Sequence, residues 1–309
     1  MYLRKGLKQL FERVCPGRAK QWVPLAPLTT LKIGGRADWF IQPQGIREVE
    51  QLLEIFQNRD LPWFILGQGS NLLVADQGVR GAVLHLAPHF AGLEEKTRRT
   101  NQRLLEVGAG YPLSKLVQYG LKNHLQGLEF LTGIPGSLGG AWAMNAGSYG
   151  REIKDITEYL ILVSPAAGLE KMNREQLAFT YRRLNFEAGA VILSGGVALS
   201  QGDPLRIREE TKALWNRRRL TQPLRGPSCG SVFKNPPGDF AGRLIEEAGL
   251  KGVIRGDVEI STRHANFIIN RGKGRAQDIL SLMRLIQKRV FQGSGILLEP
   301  EVTLWGCSL

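Results

Sequence analysis

Cysteine is scarce. Cys15, Cys229 and Cys307 lie far apart and form no Cys-x-x-Cys pair. So odd and sparse a set excludes a disulfide framework and fits a reducing, cytoplasmic location. Histidine is nearly as rare. Of the four, only His85 and His89 share an i, i+4 spacing; Pro88 lies between them and no third ligand is near in sequence, so no metal site is expected. No apolar run reaches the roughly 18 residues of a membrane-spanning helix. Gly-x4-Gly-Lys-[Ser/Thr] is missing, which disfavours a P-loop NTPase, and the lack of Gly-x-Ser-x-Gly weakens a serine-hydrolase reading. There is no internal repeat and no low-complexity segment. Acidic side chains are outnumbered 28 to 41 by Lys and Arg, a net charge of +13 that favours anionic partners.

Glycine, by contrast, is abundant: 37 of 309 residues, ~12% against a usual ~7%. No Gly-X-Y period accompanies it, so the excess points to tight loops that bring backbone close to something. The length suggests about two domains.

The first twenty residues are basic, with six Lys/Arg against Glu12 alone, and lack the apolar core of a secretory signal. Leu3, Leu7, Leu10, Phe11 and Val14 fall at helical spacing and predict a surface helix packed on the body. Val49, Leu52, Leu53 and Phe56 predict an amphipathic helix over 46–58, and Leu113, Leu116, Val117 and Leu121 a second. Strands are expected at 63–66, 72–75, 82–86, 103–107, 159–163, 190–200, 257–261 and 267–270. Further helices are expected at 205–219, with a basic end at Arg217–Arg219, at 240–248 and at 276–291. A strand over 296–305 closes the chain. Residues 127–150 read as loop, or loop feeding a short helix. The mixture is α+β.

Two glycine loops carry chemistry. Leu66-Gly67-Gln68-Gly69-Ser70-Asn71-Leu72 follows one expected strand and enters another. Its glycines permit positive φ and expose successive N–H groups, and a Ser hydroxyl and Asn amide complete a phosphate cradle. Alone it is equally an ordinary strand–turn–strand connection. Leu72 stands where a dinucleotide fingerprint wants its third glycine, so a standard Rossmann domain is disfavoured. Gly133-Ile134-Pro135-Gly136-Ser137-Leu138-Gly139-Gly140 packs four glycines and a serine into eight residues. Ending at a helix N-terminus, it would offer free N–H groups to an anion. Two such loops suggest a ligand with a diphosphate.

These strings, together with Ile33-Gly34-Gly35, Val107–Gly110, Gly127–Gly150 (GLEFLTGIPGSLGGAWAMNAGSYG), Phe179–Arg182 (FTYR), Ser228–Pro236 (SCGSVFKNP) and Leu298–Val302 (LEPEV), occur in order and at sensible spacing. From about Thr30 to Thr303 the chain resembles the UDP-N-acetylenolpyruvoylglucosamine reductases of the MurB type, flavoenzymes of peptidoglycan precursor synthesis. The resemblance implies an α+β, vanillyl-alcohol-oxidase (PCMH) type FAD-binding fold with an additional C-terminal α+β substrate domain. It divides the chain into a basic leader helix (1–25), two FAD-binding subdomains (26–95 and 96–204) and a substrate-binding domain (205–309) whose last strand returns to the active site.

The same resemblance implies non-covalent FAD held by Leu66–Leu72 and by Gly133, Ile134, Pro135, Ser137, Gly139 and Gly140. NADPH is the co-substrate, and UDP-N-acetylglucosamine enolpyruvate is reduced to UDP-N-acetylmuramate. Arg182 matches the family's carboxylate-binding Arg, Ser231 its proton donor and Glu301 its assisting carboxyl, with Glu299 as rival on the same strand face. Substrate grip is expected from Asn145, Tyr149, Lys234 and Asn235. On residue type alone, Arg182 reads as surface charge, Ser231 as a turn residue and Glu301 as solvent-facing; only the family register overturns this. Leu184 stands where the family has a Ser and Thr303 where it usually has a basic residue. The 48 residues between Arg182 and Ser231 look like the family's short form, without its extra Tyr-bearing loop. The alternative is another flavin-dependent oxidase or dehydrogenase of this fold acting on an alcohol. Binding to nucleic acid is disfavoured because the basic residues are spread rather than interleaved with aromatics, and no stable membrane insertion is expected.

Overall fold

The computed structural model describes residues 2–87, 89–98 and 101–309, without the side chains of residues 2–5 and 98. Expectations that fall on the Leu3 side chain and on Pro88 therefore lie outside the described residues. Two compact units are present: Met1–Gln21, Trp39–Gln68 and Gly81–Asn216 form the first, and Trp22–Asp38, Gly69–Arg80 and Arg217–Leu309 the second.

In the first unit an antiparallel sheet runs in the order Gly168–Asn173, Thr157–Ser164, Val191–Gln201, Gln102–Gly108, Leu93–Arg98. The register places Val197 opposite Leu105 and Ser194 opposite Gly108. Helices Tyr2–Val14 (α1), Ile46–Asn58 (α2), Leu113–Asn123 (α3) and Leu138–Ala143 (α4) accompany this sheet. The apolar stripe read from sequence on α2 is the buried one, Val49, Leu52, Leu53 and Phe56. Phe11 of α1 is fully buried and meets Trp39 and Phe56 edge-on at centroid distances of 4.9 and 5.9 Å. Trp142 of α4 is buried, and its indole N–H donates to Thr157 Oγ1 at 3.0 Å. A Cβ on Gly195 would strike that indole, so glycine lets α4 lie against the sheet.

Helix Pro204–Thr221 (α5) carries the chain from the first unit into the second. There Ala241–Glu247 (α6) and Ala276–Ser294 (α7) pack in one core with the antiparallel strands Ile254–Arg255, Val258–Ile260 and Ile268–Asn270. Ile279, Leu280, Leu282, Met283, Ile286 and Val290 form the buried face of α7. Asp76 closes the start of that helix, accepting from Ala276 N at 2.8 Å and Gln277 N at 3.1 Å, where orphan donors and the helix dipole favour a carboxylate. Thr303–Trp305 lies parallel to Leu72–Val74.

The closing strand is shorter than expected. Residues 296–302 are not strand; only Thr303–Trp305 is. Pro300 has no N–H to give a ladder. The neighbouring groups instead bond the 232–234 segment, through Lys234 N to Glu299 O at 2.8 Å and Glu301 N to Val232 O at 2.8 Å. The charged strands Leu93–Arg98 and Gly168–Asn173 and the hairpin Ala178–Thr180/Arg183–Asn185 had no sequence expectation, because none shows apolar alternation. Among the described residues no helix is long and apolar enough to cross a membrane.

Candidate active site

The glycine-rich loops carry the first part of the site. In the first unit Leu66 ends strand Trp63–Leu66, which pairs in parallel with Val79–His85 through Trp63↔Ala82 and Leu66↔His85. Gly67 follows, and a Cβ there would collide with Ser137 Oγ of the second loop. The two loops, about 70 residues apart in sequence, thus meet at Gly67 and Ser137. Ser137 is buried at the cap of α4, while Gly133, Pro135 and Gly140 stay exposed. Gly133 and Gly136 have φ of 74° and 139°, conformations for which glycine is suited. Gly139 rests on Ala109, whose Cβ is 2.7 Å from where a glycine Cβ would be built. Helix α4 has only six residues, so its dipole is small; the Ile134, Leu138 and Gly139 N–H groups already donate to the Leu131, Tyr111 and Ala109 carbonyls and Pro135 has none, so the fit to a diphosphate rests on the other backbone groups of the loop. His85 is bonded to the Gly67 backbone and lies 3.2 Å from Gln42, and burial holds its pKa below the ordinary value. It is a packing residue of the first loop. Among the described residues no cluster of His, Cys, Asp or Glu could hold a metal ion.

Also in the first unit, FTYR runs from strand Ala178–Thr180 into the two-residue turn, Tyr181 and Arg182, of the hairpin Ala178–Thr180/Arg183–Asn185. Arg182 sits in that turn at φ 57°, its guanidinium 5.0 Å over the Tyr181 ring and its Nη2 donating to Gly147 O at 3.2 Å. Asn145, fully buried, donates through Nδ2 to Thr180 O at 2.9 Å and to Glu152 Oε2 at 3.0 Å. Its amide therefore anchors the hairpin that presents Arg182. Tyr149 directs its hydroxyl to Leu214 O at 3.4 Å.

The second unit holds the remaining candidates. Gly69 has φ 61° and a Cβ there would strike the Leu28 carbonyl. Asn71 Nδ2 donates to Glu301 O at 3.0 Å, and Thr303 N donates to Asn71 O at 3.1 Å, so the end of the first loop holds the segment that carries Glu301. On the other side of that segment, Phe233 bridges Pro300. Ser231, in turn, bridges Phe267. Ser231 and Glu301 are brought into one three-segment layer. Lys234 is engaged by Glu299, Nζ to Oε2 at 3.3 Å, and Asn235 Oδ1 accepts from Ala241 N at 3.0 Å at the start of α6. Glu299 and Glu301 were expected on one strand face; no strand forms there, and Glu299 is exposed while Glu301 is half-buried. Cys229 is fully enclosed. Burial, and then the Glu301 charge, push its thiol up to about 12, so it is neutral at pH 7 and is no rival acid–base group.

Sequence reasoning missed Asn266, buried beside Phe233, and Thr30, whose hydroxyl donates to Ser228 O at 2.6 Å. A lone Asn or Thr carries no periodic signal; only their backbone partners reveal them.

The α+β unit that carries the glycine loops is that of an FAD-binding protein. Residues 37–173 match the family of FAD binding domains, and residues 222–305 match the C-terminal domain of UDP-N-acetylenolpyruvoylglucosamine reductase. The chain is 40% identical over 292 residues to UDP-N-acetylenolpyruvoylglucosamine reductase 2 of Symbiobacterium thermophilum, covering 94% of this chain and 93% of that protein. It is 44% identical over 295 residues to the reductase of Anaeromyxobacter sp., covering 96% and 91%. The crystal structure of the Thermus caldophilus reductase (MurB) superposes with a TM-score of 0.82 at 36% identity, covering 93% of this chain and 99% of that one. The chain belongs to the UDP-N-acetylenolpyruvoylglucosamine reductase family.

Proposed function

We propose that the protein catalyses the NADPH-dependent reduction of UDP-N-acetylglucosamine enolpyruvate to UDP-N-acetylmuramate, the reaction of a UDP-N-acetylmuramate dehydrogenase, in the cytoplasm. The observation that carries this reading is the pairing, in the family's C-terminal domain, of the Ser231–Lys234 segment with the Glu299–Val302 segment.

Leu66–Leu72 and Gly133–Gly140 would hold FAD non-covalently, their glycine backbones taking its diphosphate. FAD, when bound there, would relay to the substrate the hydride that NADPH provides. The chain's own residues do the rest. Arg182 binds the substrate carboxylate and neutralises negative charge developing there; a guanidinium stays charged and meets a carboxylate with two parallel donors. Ser231 Oγ gives the proton to the substrate carbon. A Ser hydroxyl is a weak acid, so it needs polarising neighbours, and Glu301, held in the same layer, assists at the enol end. Asn145 keeps the Arg182 hairpin in place. Tyr149, Lys234 and Asn235 meet the sugar and diphosphate. The net charge of +13 suits three anionic ligands.

The test is the visible absorption spectrum of the purified protein, recorded anaerobically, before and after NADPH and then after the enolpyruvyl UDP-sugar. Flavin bands that bleach with NADPH and return with the sugar are expected. Bands that bleach and do not return would move the activity to an oxidase or dehydrogenase of the same fold acting on an alcohol. No flavin, even after FAD is added, would refute the reading.

A further inference from the structure

The geometry points to Asn266 as a positioning residue that sets where the Ser231 hydroxyl stands relative to Glu301. Asn266 is 3% exposed. Its side-chain amide behaves as a strand partner for one residue: Oδ1 accepts from Phe233 N at 2.9 Å and Nδ2 donates to Phe233 O at 2.8 Å. Its own carbonyl accepts from Val232 N at 2.9 Å. Three bonds from one residue thus occupy the backbone directly after Ser231. On the next residue Phe267 bridges Ser231, and its carbonyl takes Ser261 N at 2.8 Å, tying the turn to the neighbouring strand. The other flank of the same backbone is taken by the Glu301 segment, through Glu301 N to Val232 O at 2.8 Å and the Phe233–Pro300 bridge.

The chemistry requires asparagine. The site needs an acceptor for an N–H and a donor for a carbonyl on one short planar group, and the amide alone among side chains of this size offers both. Aspartate keeps the acceptor, loses the donor and places a second acceptor against Phe233 O. Alanine leaves both backbone groups buried and unpaired, a costly arrangement. Asn266 touches backbone, not a reacting atom, so its effect on catalysis passes through Ser231. Misplacing a reacting group by about 1 Å costs on the order of a hundredfold in rate.

The inference rests on Ser231 as the proton donor, and the test separates the two. The two half-reactions are followed by rapid anaerobic mixing of holoenzyme, flavin reduction by NADPH and then reoxidation by the enolpyruvyl sugar. The variants are Asn266→Ala, Asn266→Asp, Ser231→Ala and the double variant Ser231→Ala/Asn266→Ala. The expected result is reoxidation slowed roughly ten- to a hundredfold by either Asn266 substitution, with reduction by NADPH within about twofold of the parent and FAD retained. In the Ser231→Ala background Asn266→Ala adds less than about twofold, because the group it positions is already gone. A double variant slower by the product of both single effects would overturn the positioning role. So would equal losses in both half-reactions, or normal reoxidation in the Asn266 variants. If Asn266→Ala fails to fold, the isosteric Asn266→Asp carries the comparison. Reoxidation that survives Ser231→Ala would instead refute the Ser231 assignment, and the inference with it.

Discussion

Lys234 and Glu299 are joined twice, by Lys234 N donating to the Glu299 carbonyl at 2.8 Å and by Nζ lying 3.3 Å from the Glu299 carboxylate. Glu299 is thereby committed to a lysine at an exposed edge. Glu301, two residues on, is half-buried, and its charge adds to the burial that pushes the Cys229 thiol up. The two carboxylates are alike in sequence and differ in their surroundings.

Glu301→Gln is therefore expected to slow flavin reoxidation by the enolpyruvyl sugar by at least about a hundredfold, whereas Glu299→Gln costs less than about fivefold. An exposed ion pair such as Lys234–Glu299 contributes only ~0.2–1 kcal/mol. Stopped-flow half-reactions of the two variants decide this, and the opposite ranking would assign the carboxyl role to Glu299.

Arg182→Lys is expected to be severe. Lysine keeps the charge but loses the fork that reaches Gly147 O and the planar group over Tyr181. Reoxidation should fall by about two orders of magnitude while FAD content and reduction by NADPH hold. Near-normal turnover would remove Arg182 from the reaction.

The two glycine contacts predict a contrast. In Gly67→Ala the new methyl meets a hydroxyl, Ser137 Oγ, which can rotate away at the expense of the loop's ligand-facing surface. In Gly139→Ala it meets the Ala109 methyl and carbonyl, which cannot yield. Gly67→Ala should weaken FAD retention roughly tenfold with the apoprotein melting temperature nearly unchanged. Gly139→Ala should lower that temperature as well, by an overpacking cost of about 1–3 kcal/mol. Equilibrium FAD titration and calorimetry measure both. Unchanged FAD affinity in Gly67→Ala would argue against a flavin contact at this loop.

The N-terminal part of the first unit carries a pH-dependent clamp. Arg18 grips Glu48 with both guanidinium nitrogens, Nη1 to Oε2 at 2.6 Å and Nη2 to Oε1 at 2.7 Å, and Gln44 N adds a third bond at 2.8 Å. The Arg18 bonds are the main cause that holds the Glu48 carboxyl at about 2. A carboxyl with a lowered folded pKa contributes stability above its unfolded value, and the contribution is lost as pH falls toward the folded one. Glu48→Gln should thus lower the melting temperature by a few degrees at pH 7, and the deficit should shrink between about pH 4.5 and 2. A deficit constant with pH would show that the charge of Glu48 is not what stabilises.

The sequence by itself determined the elements whose signal is short-range. The 3.6-residue stripes of α2, α3 and α7, the loop character of 67–71 and 132–137 and the ordered motifs of the family all follow from neighbouring side chains and glycine chemistry. Tertiary structure decided what depends on distant partners. Residues 22–38 and 69–80 join 217–309 in one core because Leu31, Ile33 and Leu73 pack with Phe233 and Ile279 there, and no local pattern marks that membership. FTYR became a strand end and hairpin turn held by Asn145, which lies 37 residues upstream of Arg182. The stretch before Thr303 left the strand state because Pro300 offers no N–H and the 232–234 backbone took its neighbours. Periodicity records which face of an element is buried. Which backbone groups satisfy one another is settled only when the segments meet, and there Ser231, Asn266 and Glu301 come together.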